Sequence, residues 1–142
     1  MKKALLLAAS VILGTTTLVG CQQSEKQELV SQVKMVAGTI TYRERIALPE
    51  NAVVEVTLQD VSLADAKARV LARQRFETNG AQVPFKFELP YTVSEIEQRH
   101  RYSVSARIEV DGRLRFITDT SNPVITDSNK THTIDLRLIG VR

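Results

Sequence analysis

Apolar and polar side chains alternate with a period of two along most of this 142-residue chain after residue 35. In residues 54–59 (VEVTLQ), for example, each aliphatic side chain is followed by a polar one. Successive side chains of a β-strand point to opposite faces of the sheet, so the pattern predicts strands with one buried face and one face in solvent. About seven such runs occur, at residues 39–43, 54–59, 70–76, 85–89, 102–108, 113–116 and 133–138. In the third of these runs, Val70 and Phe76 are expected on the buried face.

The order of these runs predicts the fold class. Helices that could connect parallel strands are missing between the runs, so the strands are expected to pair antiparallel. The pattern indicates an all-β fold, either an antiparallel sandwich or an open barrel, and we take as the prediction a β-sandwich of about seven strands over residues 35–142. One short helix is expected at Val93–Arg99, where Ser94 is placed to cap the first turn.

The Asp111-Gly112 pair marks a hairpin. A two-residue turn there would place Arg113 opposite Val110 and bring charge into the apolar face. Because strand register follows the buried face, we expect instead a three-residue loop with Gly112 in the left-handed conformation as a bulge.

The first 20 residues have the organisation of a bacterial export signal. Lys2 and Lys3 precede the apolar run Ala4–Leu13, which has the length of a signal-peptide core and is too short to span a bilayer. The residues that follow, Leu18–Cys21 (LVGC), resemble the bacterial lipobox. That resemblance implies cleavage before Cys21, diacylation of the Cys21 sulfur and acylation of the new amine.

Cys21 is the single cysteine of the chain, so neither an internal disulfide nor a cysteine-rich metal site is available to it. Two or three acyl chains, each contributing about 0.8 kcal/mol per buried methylene, would hold the protein permanently at a membrane. Gln22 follows the cysteine. Lipobox-type proteins of enteric bacteria that are retained in the inner membrane tend to have aspartate at this position, so the resemblance implies export to the periplasmic face of the outer membrane. We therefore predict a signal peptide at residues 1–20, a flexible lipidated tether at 21–34 and the β-sandwich domain at 35–142.

The basic character of the chain comes largely from its first residues. The formal net charge is +3 and the isoelectric point about 9.2. Lys2 and Lys3 supply two of these charges and no acidic residue precedes Glu25, so the net charge without the first 20 residues is +1. The charge therefore gives no support to a nucleic-acid partner.

The candidate chemical groups do not form a recognisable catalytic or metal-binding motif. His100 and His132 are the only histidines and lack the spacing of metal ligands, so both are expected to be ordinary surface residues. The aspartates are expected to form turns rather than a convergent pair; those considered are Asp60, Asp65, Asp111, Asp119, Asp127 and Asp135. No catalytic residue, metal ligand or cofactor site is predicted, and the protein is expected not to be an enzyme.

Arginines are frequent on the predicted solvent faces, at positions 43, 45, 73, 75, 107, 113, 115 and 137. One interpretation is a solvated sheet face with cross-strand ion pairs, each contributing less than about 1 kcal/mol. The other is a surface for an acidic peptide or for lipid phosphates. The near-equal number of acids favours the first interpretation.

Three segments resemble a known family. Gly38–Ala66, Pro84–Tyr91 and Tyr102–Thr120 are similar to the YbaY lipoproteins, which are related to the YscW-type pilotins, the lipoprotein chaperones of type III secretion secretins. The resemblance covers nearly all of the chain after the tether. It implies a β-sandwich on an acyl tether. Pilotins themselves bind a C-terminal peptide of their secretin and escort the secretin outward. It assigns no binding residues in this chain.

The functional prediction is an outer-membrane-anchored periplasmic lipoprotein that acts by contact with an unidentified envelope protein, as a pilotin-like chaperone or an envelope adaptor. Tethering raises the effective concentration of the domain at the membrane, so a weak contact would suffice. The alternative is a module that binds a small ligand or glycan in a pocket of about 300 Å³ or more.

Overall fold

The structure, a computed structural model, describes residues 32–142 and contains eight β-strands. The predicted all-β class is confirmed. The signal peptide, Cys21 and most of the predicted tether lie outside the described residues. The strands are β1 (Val33–Tyr42), β2 (Val53–Asp60), β3 (Arg69–Glu77), β4 (Phe85–Thr92), β5 (Tyr102–Val110), β6 (Arg113–Ile117), β7 (Pro123–Val124) and β8 (Thr133–Gly140).

The strands form one continuous sheet in the order β3-β2-β5-β6-β8-β1-β4, with the short β7 beside β5. Neighbouring strands are antiparallel except β1 and β8, which are parallel. The two edge strands, β3 and β4, approach each other. There the Glu88 N–H donates to the Gln74 side-chain oxygen over 2.9 Å, and the rings of Phe76 and Phe85 meet edge to face at 6.0 Å.

The sheet is therefore a nearly closed barrel, and the prediction of a plain sandwich was wrong. Alternation identifies the buried face of each strand but not which strands pair. Two pairs, Phe116 with Gly140 and Ile117 with Ile139, join β6 to β8 and make one sheet of the two layers that a sandwich would keep apart.

The interior of the barrel contains most of the side chains that the alternation assigned to it. Val54, Val56 and Leu58 of β2 are fully buried, as are alternate residues of β5 and β8. Burying such a side chain contributes roughly 1.5–3 kcal/mol, so this apolar interior is the main source of stability. The largest fully buried side chains include Tyr102, Phe87, Ile40, Leu89, Ile108, Leu136 and Leu138.

The predicted helix Val93–Arg99 was wrong in extent, since only one 3₁₀ turn forms, over Val93–Glu95. Thr92 occupies the capping position and its side chain makes no capping hydrogen bond. The segment continues instead as a loop whose end is held by His100, as described below.

Strand β3 departs from the predicted alternation. Leu58 pairs with Ala72 and Gln59 with Val70, so Leu71 is an extra residue at a β-bulge. A bulge shifts the faces of the residues beyond it. Val70 is consequently exposed, and its predicted place on the buried face was wrong, whereas Phe76 packs against the core.

The hairpin between β5 and β6 also differs from the prediction. Val110 pairs with Arg113 across a two-residue turn, in which Asp111 (φ 52°) and Gly112 (φ 76°) are both left-handed. The expected three-residue loop was therefore wrong, although Gly112 has the expected conformation.

The register conflict that argued for a longer loop is resolved inside β6. Glu109 pairs with Leu114 and Ile108 with Phe116, so Arg115 is an extra residue. This bulge returns Phe116 to the buried face and leaves the side chain of Arg115 exposed.

The barrel has a proximal end and a distal end, each defined by the residues that lie there. The proximal end contains Val33, where the described chain enters β1, together with Asp60 and Tyr102. The distal end contains the other end of β1 at Tyr42 and the end of β8 at Gly140.

Candidate functional site

The proximal end brings together polar residues that are far apart in the sequence. The Nδ1 atom of His100 lies 2.6 Å from the Asp60 carboxylate, and its Nε2 atom lies 2.7 Å from the Glu97 carboxylate. His100, which was predicted to be an ordinary surface residue, is partly exposed and links β2 to the loop after β4.

This cluster does not have the geometry of a catalytic triad. The Ser62 hydroxyl donates to Asp60 over 2.6 Å, and it also accepts the N–H of Arg101. A nucleophilic serine would instead donate to the histidine. The contacts of Ser62 tie the segment after β2 to the start of β5, so the cluster organises loops.

The Asp60 carboxylate is stabilised in its charged form. Burial by itself raises the pKa of Asp60, but hydrogen bonds from the hydroxyl and N–H of Ser62 and from His100 outweigh it, so the pKa lies below the usual 3.8. The turn-forming role predicted for Asp60 is confirmed by its hydrogen bond from the Ser62 N–H.

His132 also makes specific contacts. Its Nδ1 atom lies 2.8 Å from the Lys130 carbonyl oxygen and therefore carries the proton, which leaves Nε2 to accept the Tyr91 hydroxyl at 2.7 Å. Burial raises the pKa of Tyr91, so its hydroxyl keeps its proton. His132 is thus partly exposed and holds Tyr91 and the loop before β8 through local contacts.

Asp127 organises the loop between β7 and β8. Its carboxylate accepts the N–H of Thr131 at 2.7 Å and the hydroxyl of the same residue. Burial by itself raises the pKa of Asp127, but the hydrogen bonds from Thr131 and from nearby backbone N–H groups lower it below 3.8. The same loop is tied to the histidine cluster, because the Thr126 hydroxyl donates to the His100 carbonyl.

These lowered pKa values predict an acid-sensitive loop. The Asp127 carboxyl takes up its proton near pH 3.8 in the unfolded chain and only at lower pH in the folded chain. The stability that the charged carboxylate contributes is therefore present above pH 3.8 and is lost as pH falls through the folded-state pKa. Between roughly pH 5 and pH 2, we expect the unfolding free energy of Asp127→Asn to fall less steeply than that of the unmodified protein. Urea unfolding at each pH measures this, and the exposed Asp119→Asn variant, as control, should keep the original slope. Equal slopes for all three proteins would contradict the prediction.

The remaining predicted aspartates do not converge. Asp111 accepts the Asn51 side-chain N–H at 2.6 Å in the distal hairpin, and Asp135 accepts the Thr39 hydroxyl at 2.7 Å on the outer face. Within residues 32–142, no group of three or more His, Cys, Asp and Glu side chains is placed to hold a metal ion.

The outer face of β2, β3 and β5 contains the ion pairs that one interpretation of the arginines predicted. Arg73 and Arg75 of β3 both contact Glu55 of β2, at 3.4 Å and 3.0 Å, as cross-strand pairs. Arg107 contacts Glu109 at 2.6 Å within β5. The arginine side chains are about half exposed, so each pair contributes less than about 1 kcal/mol. The guanidinium groups of these three arginines are therefore already paired with carboxylates on the sheet.

Comparison with known proteins identifies the family. Residues 31–138 match the family described as "Type III secretion system lipoprotein chaperone (YscW)". The chain belongs to the YscW family. The resemblance predicted from the three sequence segments is thereby confirmed.

Two relatives place the chain within the YscW family. It is 41% identical over 119 residues to the lipoprotein YbaY of Escherichia coli K12, an alignment that covers 84% of this chain and 62% of YbaY. The chain thus spans about three-fifths of the length of that curated relative. Its structure is similar to that of an alternative pilotin from the type II secretion system of Vibrio cholerae, with a TM-score of 0.76 and 60% sequence identity, covering 78% of this chain and 99% of the pilotin.

Proposed function

We propose that this protein is a non-enzymatic, pilotin-like chaperone that binds a secretin in the bacterial envelope. The observation that carries the proposal is the similarity to the pilotin of Vibrio cholerae, which extends over 99% of that protein at 60% identity. Membership of a family of secretion-system lipoprotein chaperones points in the same direction.

The proposed anchor is a set of acyl chains on Cys21, after removal of residues 1–20. Because β1 begins at Val33, the tether would extend from Cys21 to Gln32, with a reach of at most about 37 Å. Such a tether keeps the barrel beside the periplasmic face of the outer membrane. The acyl chains would direct the complex outward, and the barrel would supply the contact with the secretin.

The proposal is tested by locating the secretin in cells. Deleting the gene for this protein is expected to move the secretin from the outer-membrane fraction to the inner-membrane fraction, as judged by immunoblotting of separated membranes. The complete chain should restore the original location, whereas the Cys21→Ser chain should not. An unchanged secretin distribution in the deletion strain would refute the proposed function.

A further inference from the structure

Three exposed apolar side chains lie at the distal end of the barrel. Ile46, Ile139 and Val141 are 56%, 42% and 40% exposed, although side chains of this kind are usually buried. Leu63 is more exposed still, at 72%, but it lies in the loop after β2 near the proximal end. Apolar residues that are exposed together mark interaction surfaces more reliably than isolated ones.

Two of these residues line a groove of about 370 Å³, which we call the distal groove. Ile46 and Val141 contribute its apolar walls, and the ring of Phe116 lies at its base, stacked on Tyr42 at 4.1 Å. Its other lining residues are Glu44, Arg115, Gly140 and Arg142. The volume is within the range of about 300–1,000 Å³ that is typical of binding pockets.

Hydrogen bonds hold the walls of the distal groove in place. The Tyr42 hydroxyl donates to the Ile46 carbonyl at 2.6 Å, and the Gly140 N–H donates to the Glu44 carboxylate at 3.1 Å. The first bond ties the segment after β1 back to the end of β1, and the second fixes that segment against the end of β8. A groove that exists before binding costs less ordering entropy on association.

The distal groove is bordered by positive charge. Arg115 and Arg142 line it, and Arg43 and Arg45 belong to the chain segment that forms one wall. Within residues 32–142, none of these four arginines takes part in an ion pair. Arg115 is the bulged residue of β6, and bulges re-aim side chains near functional surfaces.

We propose that the distal groove binds an acidic, amphipathic peptide segment of the envelope partner. The apolar side chains of the segment would fill the space between Ile46 and Val141, and its carboxylates would face the arginines. The groove lies at the opposite end of the barrel from residue 32, so it stays accessible when the chain is tethered there. The inference rests on the proposed function, because it assumes that the protein acts through a bound partner.

Two fluorescent peptides of about 15 residues test the proposal with the complete acylated protein in detergent. Both contain leucine at every third or fourth position. The charged residues are all glutamate in one peptide and all lysine in the other. Fluorescence anisotropy is expected to give a dissociation constant at least about tenfold lower for the glutamate peptide. Equal affinities for the two peptides, or no binding of either peptide, would overturn the proposal.

Three variants locate the site. Val141→Asp is expected to weaken binding of the glutamate peptide by about tenfold or more, and Arg115→Glu should reverse the preference between the peptides. Leu63→Asp is the matched control, because it places the same charge at an exposed apolar position away from the groove. Circular dichroism checks that each variant is folded. Loss of binding in Leu63→Asp but not in Val141→Asp would assign the peptide to another surface.

The secretin assay distinguishes this inference from the proposed function. If the groove assignment alone fails, the secretin will still depend on the protein for its location, and Val141→Asp will restore that location fully. If the proposed function fails, deletion of the whole protein will leave the secretin in place.

Discussion

The Gly38→Ala protein is expected to lose at least about 3 kcal/mol of unfolding free energy, or not to fold. Gly38 lies opposite Ile134, where β1 and β8 pair in parallel. A Cβ atom on Gly38 would lie 1.6 Å from the Ile134 carbonyl oxygen and 2.7 Å from its carbonyl carbon. Both atoms belong to the backbone, so no side-chain rotation relieves the clash and the two strands must separate.

Separation of β1 from β8 would affect most of the barrel. β1 is also the only partner of β4 in the described sheet, so a displaced β1 exposes the apolar interior on both sides. Domains of this size have unfolding free energies of about 5–15 kcal/mol, so the predicted loss is a large fraction of the total. Urea unfolding is best followed by far-UV circular dichroism, because the chain has no tryptophan.

Gly140→Ala is the matched control for Gly38→Ala. The nearest atom to a Cβ there is a Glu44 carboxylate oxygen at 3.4 Å, at the far end of a flexible side chain. The backbone of Gly140 has no positive φ, so alanine is accepted without strain and the unfolding free energy should change by less than about 1 kcal/mol. If both variants unfold at the urea concentration of the unmodified protein, β1 and β8 are not paired as described.

The buried faces of the strands were predictable because they follow from local pattern. The alternation around Val56 and Ala106 correctly assigned these side chains to the interior, since a strand points successive side chains to opposite faces whatever its partners are. Two bulges limited this prediction. The extra residues Leu71 and Arg115 shift the faces locally, and neither position contains a glycine that would have marked a bulge in advance.

The pairing of strands was not predictable from the same pattern. Nothing in the alternation indicates that the first strand pairs in parallel with the last, since the residues of the pair Gly38 and Ile134 are far apart in sequence. Closure of the sheet into a barrel depends on that pair and on the Gln74–Glu88 contact, which are both long-range. A sandwich and a barrel made of the same strands bury the same faces.

The candidate sites could not be predicted from the sequence for the same reason. Asp60 and His100 are 40 residues apart and meet only because β2 pairs with β5. The distal groove combines residues after β1, in β6 and at the end of β8. Arg115 lines it at a bulge that no turn residue in the sequence indicated. The family resemblance, in contrast, depended on contiguous segments and was recognisable without the fold.

The Cys21→Ser protein is expected to leave the membrane fraction almost completely. If Cys21 is acylated, each acyl chain contributes about 0.8 kcal/mol per buried methylene, and two or three chains make release negligible. Serine has no thiol for diacylation and therefore no anchor. The change lies outside residues 32–142, so the circular dichroism of the barrel should be unchanged. Fractionation of envelopes with detergent-free washing, together with mass spectrometry of the mature N-terminus, measures both the location and the lipid.

A double variant separates the position of the thiol from its presence. In Cys21→Ser combined with Ser24→Cys, the chain again has one cysteine, but that cysteine no longer follows Leu18-Val19-Gly20. If the motif directs lipidation, this protein should also be free of lipid and soluble, whereas a nonspecifically reactive thiol would restore some attachment. Retention of Cys21→Ser at the membrane would show that the barrel itself, through its exposed apolar residues, provides the attachment, and the role proposed for the tether would then have to be abandoned.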